Sequence, residues 1–238
     1  MSAFMYGVVV QWKLDLRNRG ILLTYYVVPL LFFSFMGAIF TSIDPAAKDT
    51  LIQTMTIFGV TMGAILGAPT PLVELYGSEI RKAYSIGGIP LWVVAVNNYL
   101  SAFIHLLIMS LVVFICAPLM YDAVVPTHLW LYFLSLVIFI MASLAVGTVL
   151  GLFIRSAMKL TMLAQLIFLP SIMLSGIMFQ ADLLPNEFGI AGKFFPATWG
   201  MQSMTSEVLD LQLYIPLAAI LVISIAVSWY RLSTMVAE

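Results

Sequence analysis

Six stretches of this chain are apolar and contain no Asp, Glu, Lys or Arg: residues 21–40, 51–72, 91–119, 129–154, 160–179 and 213–230. A helix that crosses a hydrocarbon core needs roughly 20 mostly apolar residues. Lipid offers no water to satisfy backbone N–H and C=O groups, so only helices and closed barrels cross it. The alternating apolar and polar pattern of barrel strands is absent. The expected fold is therefore all-α and integral to the membrane, with six transmembrane helices. Composition agrees. Of 238 residues, 63% are hydrophobic and 9% charged. A soluble domain carries about 25% charged residues, and this chain has too few to cover a globular surface.

Charge bias in the loops predicts the orientation. With the N-terminus in the cytoplasm, Lys13, Arg17, Arg19, Arg81, Lys82, Arg155, Lys159 and Arg231 lie inside, and Lys48 and Lys193 outside. Asp44, Asp49, Asp122, Asp182, Glu187, Glu207 and Asp210 then face out. The expectation is a multi-pass membrane protein with both termini cytoplasmic. No cleavable signal is visible, because the charges of residues 1–20 interrupt the apolar positions. A net charge of −1 gives no footprint for nucleic acid.

Three segments outside the spans carry information. In residues 1–20, Phe4, Val8, Trp12 and Leu16 recur every four residues, which predicts an amphipathic helix lying in the membrane interface. The loop 74–90 holds Glu74, Glu79, Arg81 and Lys82 beside Leu75, Ile80 and Tyr84. Gly87-Gly88-Ile89-Pro90 ends any short helix there. Residues 180–212 are semi-apolar and broken by Pro185 and Pro196, which suits a re-entrant pair of helices before the last span. The longest stretch between spans is about 33 residues, too short for a folded domain. The whole chain, 1–238, reads as one transmembrane domain.

Gly59, Gly63 and Gly67 stand four apart in the second stretch, and Gly147 and Gly151 in the fourth. Small residues at that spacing form a groove into which another helix can pack. Pro29 and Pro170 fall inside spans and predict kinks. His105 lies deep in the third stretch, and an ionisable group there is a functional candidate. A proton relay also needs a carboxylate, and none of the six stretches has one, so a neutral, hydrogen-bonded histidine is expected. Eight methionines, among them Met158, Met162 and Met173, are either packing residues or an adaptable surface. The lone cysteine, Cys116, reads as a small buried hydrophobe. No catalytic group, metal site, bound cofactor or nucleotide loop is predicted. Gly192-Lys193 is followed by Phe194 and so departs from a phosphate loop.

The last third carries a further pattern. Leu174-Ser175-Gly176-Ile177, then Leu184-Pro185, then Phe195-Pro196-Ala197-Thr198-Trp199 resembles the ABC-2 type permease subunits of ATP-binding-cassette transporters. Glu74 to Lys82, with Gly77-Ser78, is similar to the family's Glu-rich loop after the second span, although the usual Glu-Arg-x-x-Gly-Thr run is not intact. The resemblance implies an interfacial helix, six spans and a re-entrant segment marked by Ser175, Gly176, Pro185, Pro196 and Trp199. It implies two permease chains around a central path, each seated on a separate ATPase that supplies ATP and Mg, and this separate-subunit arrangement implies a bacterial or archaeal cell, hence a plasma (bacterial inner) membrane. The ATPase contact would fall on Glu74, Gly77, Glu79, Arg81, Lys82 and Tyr84. A homodimer with two ATPase chains, and a path lined by parts of the second and fifth spans, is the expected arrangement.

With no charge in either of those spans, the expected cargo is amphipathic or hydrophobic: a drug, a peptide antibiotic or a lipid. A polysaccharide exporter is the alternative within the family. A non-transporting scaffold or immunity protein is the alternative outside it. An ion-coupled carrier is disfavoured by the missing midplane carboxylate.

Overall fold

The computed structural model describes residues 3–77, 86–88, 90–178 and 185–237. Every regular element among them is helical. Six helices are long and apolar enough to cross a membrane: Arg19–Ile43, Leu51–Tyr76, Leu91–Tyr121, Leu129–Phe153, Ala157–Leu174 and Leu211–Met235. They are called the first to sixth spans below. An N-terminal helix, Ala3–Arg17, precedes them, and two short helices, Asn186–Gly192 and Pro196–Thr205, stand between the fifth and sixth. Six crossings return the C-terminus to the end of the bundle where the first span begins. The other end, which holds the short helices, is the far end.

The second span is the centre of the bundle. In its most apolar window 89% of residues are buried by the rest of the chain, against 28% for the fifth span and less for the first and sixth. The third and fourth spans flank it, and the sixth packs chiefly on the fourth. Side-chain hydroxyls tie the spans across their apolar contacts. Thr56 and Tyr132 share a hydrogen bond of 3.0 Å between the second and fourth spans. The Tyr99 hydroxyl donates to the Met141 carbonyl at 2.7 Å, and that of Tyr121 to the Ser34 carbonyl at 2.6 Å. Each bond satisfies a polar group that hydrocarbon would otherwise strand.

Both the first and second spans contain a π-helical turn, Leu23–Val27 and Gly63–Gly67, and each turn lies just ahead of a proline, Pro29 and Pro69. Proline lacks an N–H, and its ring crowds the carbonyl four residues back. A π turn widens the coil at that point. Val28 N–H accordingly reaches back five residues to Leu23, and Ala68 N–H to Gly63 at 2.8 Å. The kink expected at Pro29 thus takes the form of a π turn. Pro170 sits within a helix that continues to Leu174.

The fifth span is shorter than the apolar run that predicts it. It ends at Leu174, where Gly176 takes a φ of 85°, a left-handed conformation that glycine adopts without a Cβ clash. The sixth span runs past the expected residue 230 and takes in Arg231, whose guanidinium lies over the Phe153 ring at 5.7 Å.

Candidate functional site

At the near end, the second span stays helical through Glu74, which is exposed, to Gly77. The Tyr76 hydroxyl donates to the Leu91 carbonyl at 2.6 Å. This bond ties the exit of the loop to its return at the start of the third span. Of the expected ATPase-contact residues, Glu74 and Gly77 are therefore on a helix end. Glu79, Arg81, Lys82 and Tyr84 lie outside the described residues.

At the far end, a cavity of about 1220 Å³ opens between the end of the first span, the start of the second, the end of the fifth and the two short helices. Phe40, Ile43, Ile177 and Met178 give it apolar walls. Thr50, Thr54, Thr198 and Gln202 add hydroxyl and amide groups, and Asp44, Asp49 and Lys193 stand among its lining residues. The second span reaches the cavity through its first turn, because its body is sheathed by its own chain. The fifth span differs. Met158, Met162, Gln165, Leu166, Leu169 and Met173 are exposed along one face, and that helix ends at the cavity. Of the two spans expected to line a path, the fifth presents an open face and the second contributes its end.

The motif of the last third makes a lock. Pro185 stands just before the first short helix, and Pro196 opens the second, where a missing N–H costs nothing. The last carbonyls of a helix have no partner within it. Here Thr198 Oγ1 donates to the Gly192 carbonyl at 2.6 Å, and Trp199 Nε1 to the Lys193 carbonyl at 2.8 Å. Side chains of the second short helix thereby cap the first. Ser175 Oγ binds its own helix at the Ile172 carbonyl, 3.0 Å away.

The predicted glycines meet within this one chain. A Cβ at Gly147 would collide with the Ala64 carbonyl oxygen of the second span, and one at Gly151 would lie 2.8 Å from Leu72 Cβ. Gly59 faces Met109, Gly63 faces Leu106, and Tyr25 lies against both Gly63 and Gly67. All five therefore line contacts between spans of the same chain.

A polar cluster joins the N-terminal helix to the first and third spans. Asp15 is 2% exposed. Its carboxylate accepts from Ser101 Oγ at 2.5 Å and from Gln11 Nε2 at 2.9 Å. Burial holds the Asp15 carboxyl above its usual pKa, although these two hydrogen bonds pull the other way. Fully buried His105 places Nε2 3.9 Å from Asp15 Oδ2 and Nδ1 2.7 Å from the Tyr26 hydroxyl. The expectation that His105 has no carboxylate partner is thus corrected: the partner comes from the N-terminal helix, outside the six spans. The expected stripe on that helix is divided between the bundle and the outside. Val8 is buried and Trp12 partly so, but Phe4 and Leu16 are exposed, and the face against the bundle runs through Val8, Gln11 and Asp15. Their spacing of three and four was the available signal.

Compared with curated proteins, the chain matches none. A family model, that of the ABC-2 type transporter, matches residues 3–209. This region runs from the N-terminal helix through the locked pair of short helices and covers well over half the sequence. With six spans, an N-terminal helix packed on them and a helical pair before the last, the chain belongs to the ABC-2 type transporter family as a membrane permease subunit.

Proposed function

We propose that this permease exports an amphipathic or hydrophobic cargo, such as a drug, a peptide antibiotic or a lipid, and works as a pair of identical chains seated on two copies of a separate ATPase. The open face of the fifth span carries the reading. Seven of the ten exposed residues of this helix are apolar, three of them methionines; Thr161 and Gln165 are uncharged, and the one charge, Lys159, stands at its near end. Flexible, polarisable thioethers suit ligands of varied shape. A glutamine on an open helix face is costly against lipid and is relieved by water or by a second chain. The face leads to the far-end cavity, whose hydroxyls and amides suit the polar part of an amphipathic molecule.

ATP and Mg belong to the partner in this reading, and this chain performs no catalysis. The segment from Glu74 to Tyr84 is the proposed contact, with both termini on the ATPase side in the cytoplasm. The chain is co-expressed with the products of its neighbouring reading frames and reconstituted in vesicles with a fluorescent lipophilic amine, a lipid or an oligosaccharide as cargo. Copurification of the ATPase and nucleotide-dependent movement of the amine or the lipid is the expected result. Movement of the oligosaccharide alone overturns the cargo class. Recovery of no ATPase, with no nucleotide-dependent transport, overturns the reading as a whole. Alanine at Glu79, Arg81 and Lys82 is expected to uncouple hydrolysis from transport, whereas a scaffold tolerates all three.

A further inference from the structure

We propose that Asp15 and His105 form a buried site for one proton, and that the proton clamps the N-terminal helix to the third span. The site has three walls. Asp15 and Trp12 come from the N-terminal helix, Tyr25 and Tyr26 from the π turn of the first span, and Ser101 and His105 from the third span. The His105 ring stacks on Trp12 and on Tyr25, with centroids 6.0 Å and 5.3 Å away and interplanar angles of 26° and 21°. The ring is fixed in place by this stacking and by the Tyr26 hydroxyl.

One atom of the ring lacks a partner. Nε2 of His105 is buried and makes no hydrogen bond. It sits 3.9 Å from Asp15 Oδ2, beyond hydrogen-bond reach but within ion-pair range. A phenol hydroxyl is a better donor than acceptor toward a neutral imidazole, so Tyr26 donates to Nδ1 and the ring hydrogen falls on Nε2, on the Asp15 side. A carboxylate has about four lone-pair sites, and Ser101 and Gln11 fill two. A shift of about 1 Å brings Nε2 and the carboxylate into contact.

Charge counting gives the sign. With one proton beyond neutral imidazole and carboxylate, the pair is either carboxylic acid with imidazole or carboxylate with imidazolium. Both have zero net charge. Without it, the pair carries one negative charge. No cation among the described residues offsets that charge. The neighbouring side chains of the first span are Tyr25 and Tyr26, and the π turn of the second span, Gly63–Gly67, holds no titratable residue. On the N-terminal helix, Lys13 and Arg17 are exposed. An uncompensated buried charge is strongly disfavoured. Docking of the helix and uptake of the proton therefore favour each other by linkage. The clamp holds at acidic pH and weakens as pH rises and the pair loses its proton.

The clamp is well placed to be felt elsewhere. Tyr25 stacks on His105 and also lies 3.0 Å from where a Cβ would stand on Gly63 and 2.8 Å from one on Gly67. The second span runs on from there to Tyr76 and the loop at the near end.

The test uses the full chain in phosphatidylcholine vesicles. Backbone hydrogen exchange of residues 3–17 is followed from pH 5 to pH 8 and corrected for the intrinsic pH dependence. Opening of that helix is expected to be at least tenfold greater at pH 8 than at pH 5. Asp15→Asn keeps the shape and cannot ionise, so it is expected to stay closed at both. A flat profile in the wild type, or an unchanged profile in Asp15→Asn, overturns the proposal. A second measurement does not depend on that variant folding. The chain has two histidines, so His128→Gln leaves His105 as the single imidazole signal. Its 15N resonances respond whichever partner holds the proton and are expected to move in step with helix opening. Resonances constant from pH 4 to pH 9 overturn the proposal.

Discussion

Among the described glycines, Gly147 leaves the least room for a side chain. An added Cβ there would meet the backbone oxygen of Ala64, which cannot rotate away as a side chain does. At Gly59 the obstacle is the flexible end of Met109, and at Gly189 nothing lies within 4 Å. Substitution is therefore expected to be graded. Gly147→Val costs about 1–3 kcal/mol through overpacking, Gly59→Ala less, and Gly189→Ala close to nothing. Thermal unfolding of the three variants in one detergent checks the order, and equal midpoints would refute it. The glycine spacing was readable in the sequence because four-residue periodicity is a property of one helix. Which helix fills the groove was not, because that depends on how separate helices meet. Asp15 shows the same boundary from the other side. Nothing in its local sequence marks it as buried, and only the arrival of Ser101 and His105 from the third span makes its burial possible.

Among the elements, the two short helices are bound together by few bonds, so each bond counts. Thr198 and Trp199 satisfy carbonyls at the end of the preceding helix. Losing a hydrogen bond and leaving a buried acceptor unpaired costs about 1–3 kcal/mol. Thr198 is buried and Trp199 is partly exposed. Thr198→Val is therefore expected to loosen residues 186–195 more than Trp199→Phe does. Hydrogen exchange over those residues reads the difference, and equal protection in both variants and the wild type would remove the lock. The Pro-Ala-Thr-Trp run was legible as a motif, and its prolines as helix boundaries. The π turns were not legible. Pro29 announces a distortion of the helix, but a kink and a π turn leave the same mark in the sequence. Pro69 stands beyond a glycine-rich run that reads equally well as packing.

At the scale of the whole molecule, the first, fifth and sixth spans all leave apolar faces uncovered, and the fifth also carries an exposed Gln165 amid its length. The second span is enclosed, while the fifth keeps a face from Met158 to Met173 uncovered. Lipid tolerates the methionines and leucines of that face, but Gln165 needs a hydrogen-bond partner. A second permease chain and a hydrated cargo path both supply one, and they are separable by experiment. Cys116 is the one native cysteine, so Cys116→Ser gives a background on which Leu166→Cys reports on the face alone. If two copies meet there, oxidation in vesicles is expected to yield a disulfide-linked dimer. The buried Leu136→Cys in the same background should give none. If the face lines water instead, Leu166→Cys stays monomeric and reacts with a membrane-impermeant maleimide. Failure of both reactions would return the face to lipid and leave the proposed transport path without its fifth-span wall. In either productive case Leu166→Trp is expected to cut ATP-driven transport at least tenfold. Its unfolding temperature should stay close to that of the parent, because the added ring enters space that this chain leaves open.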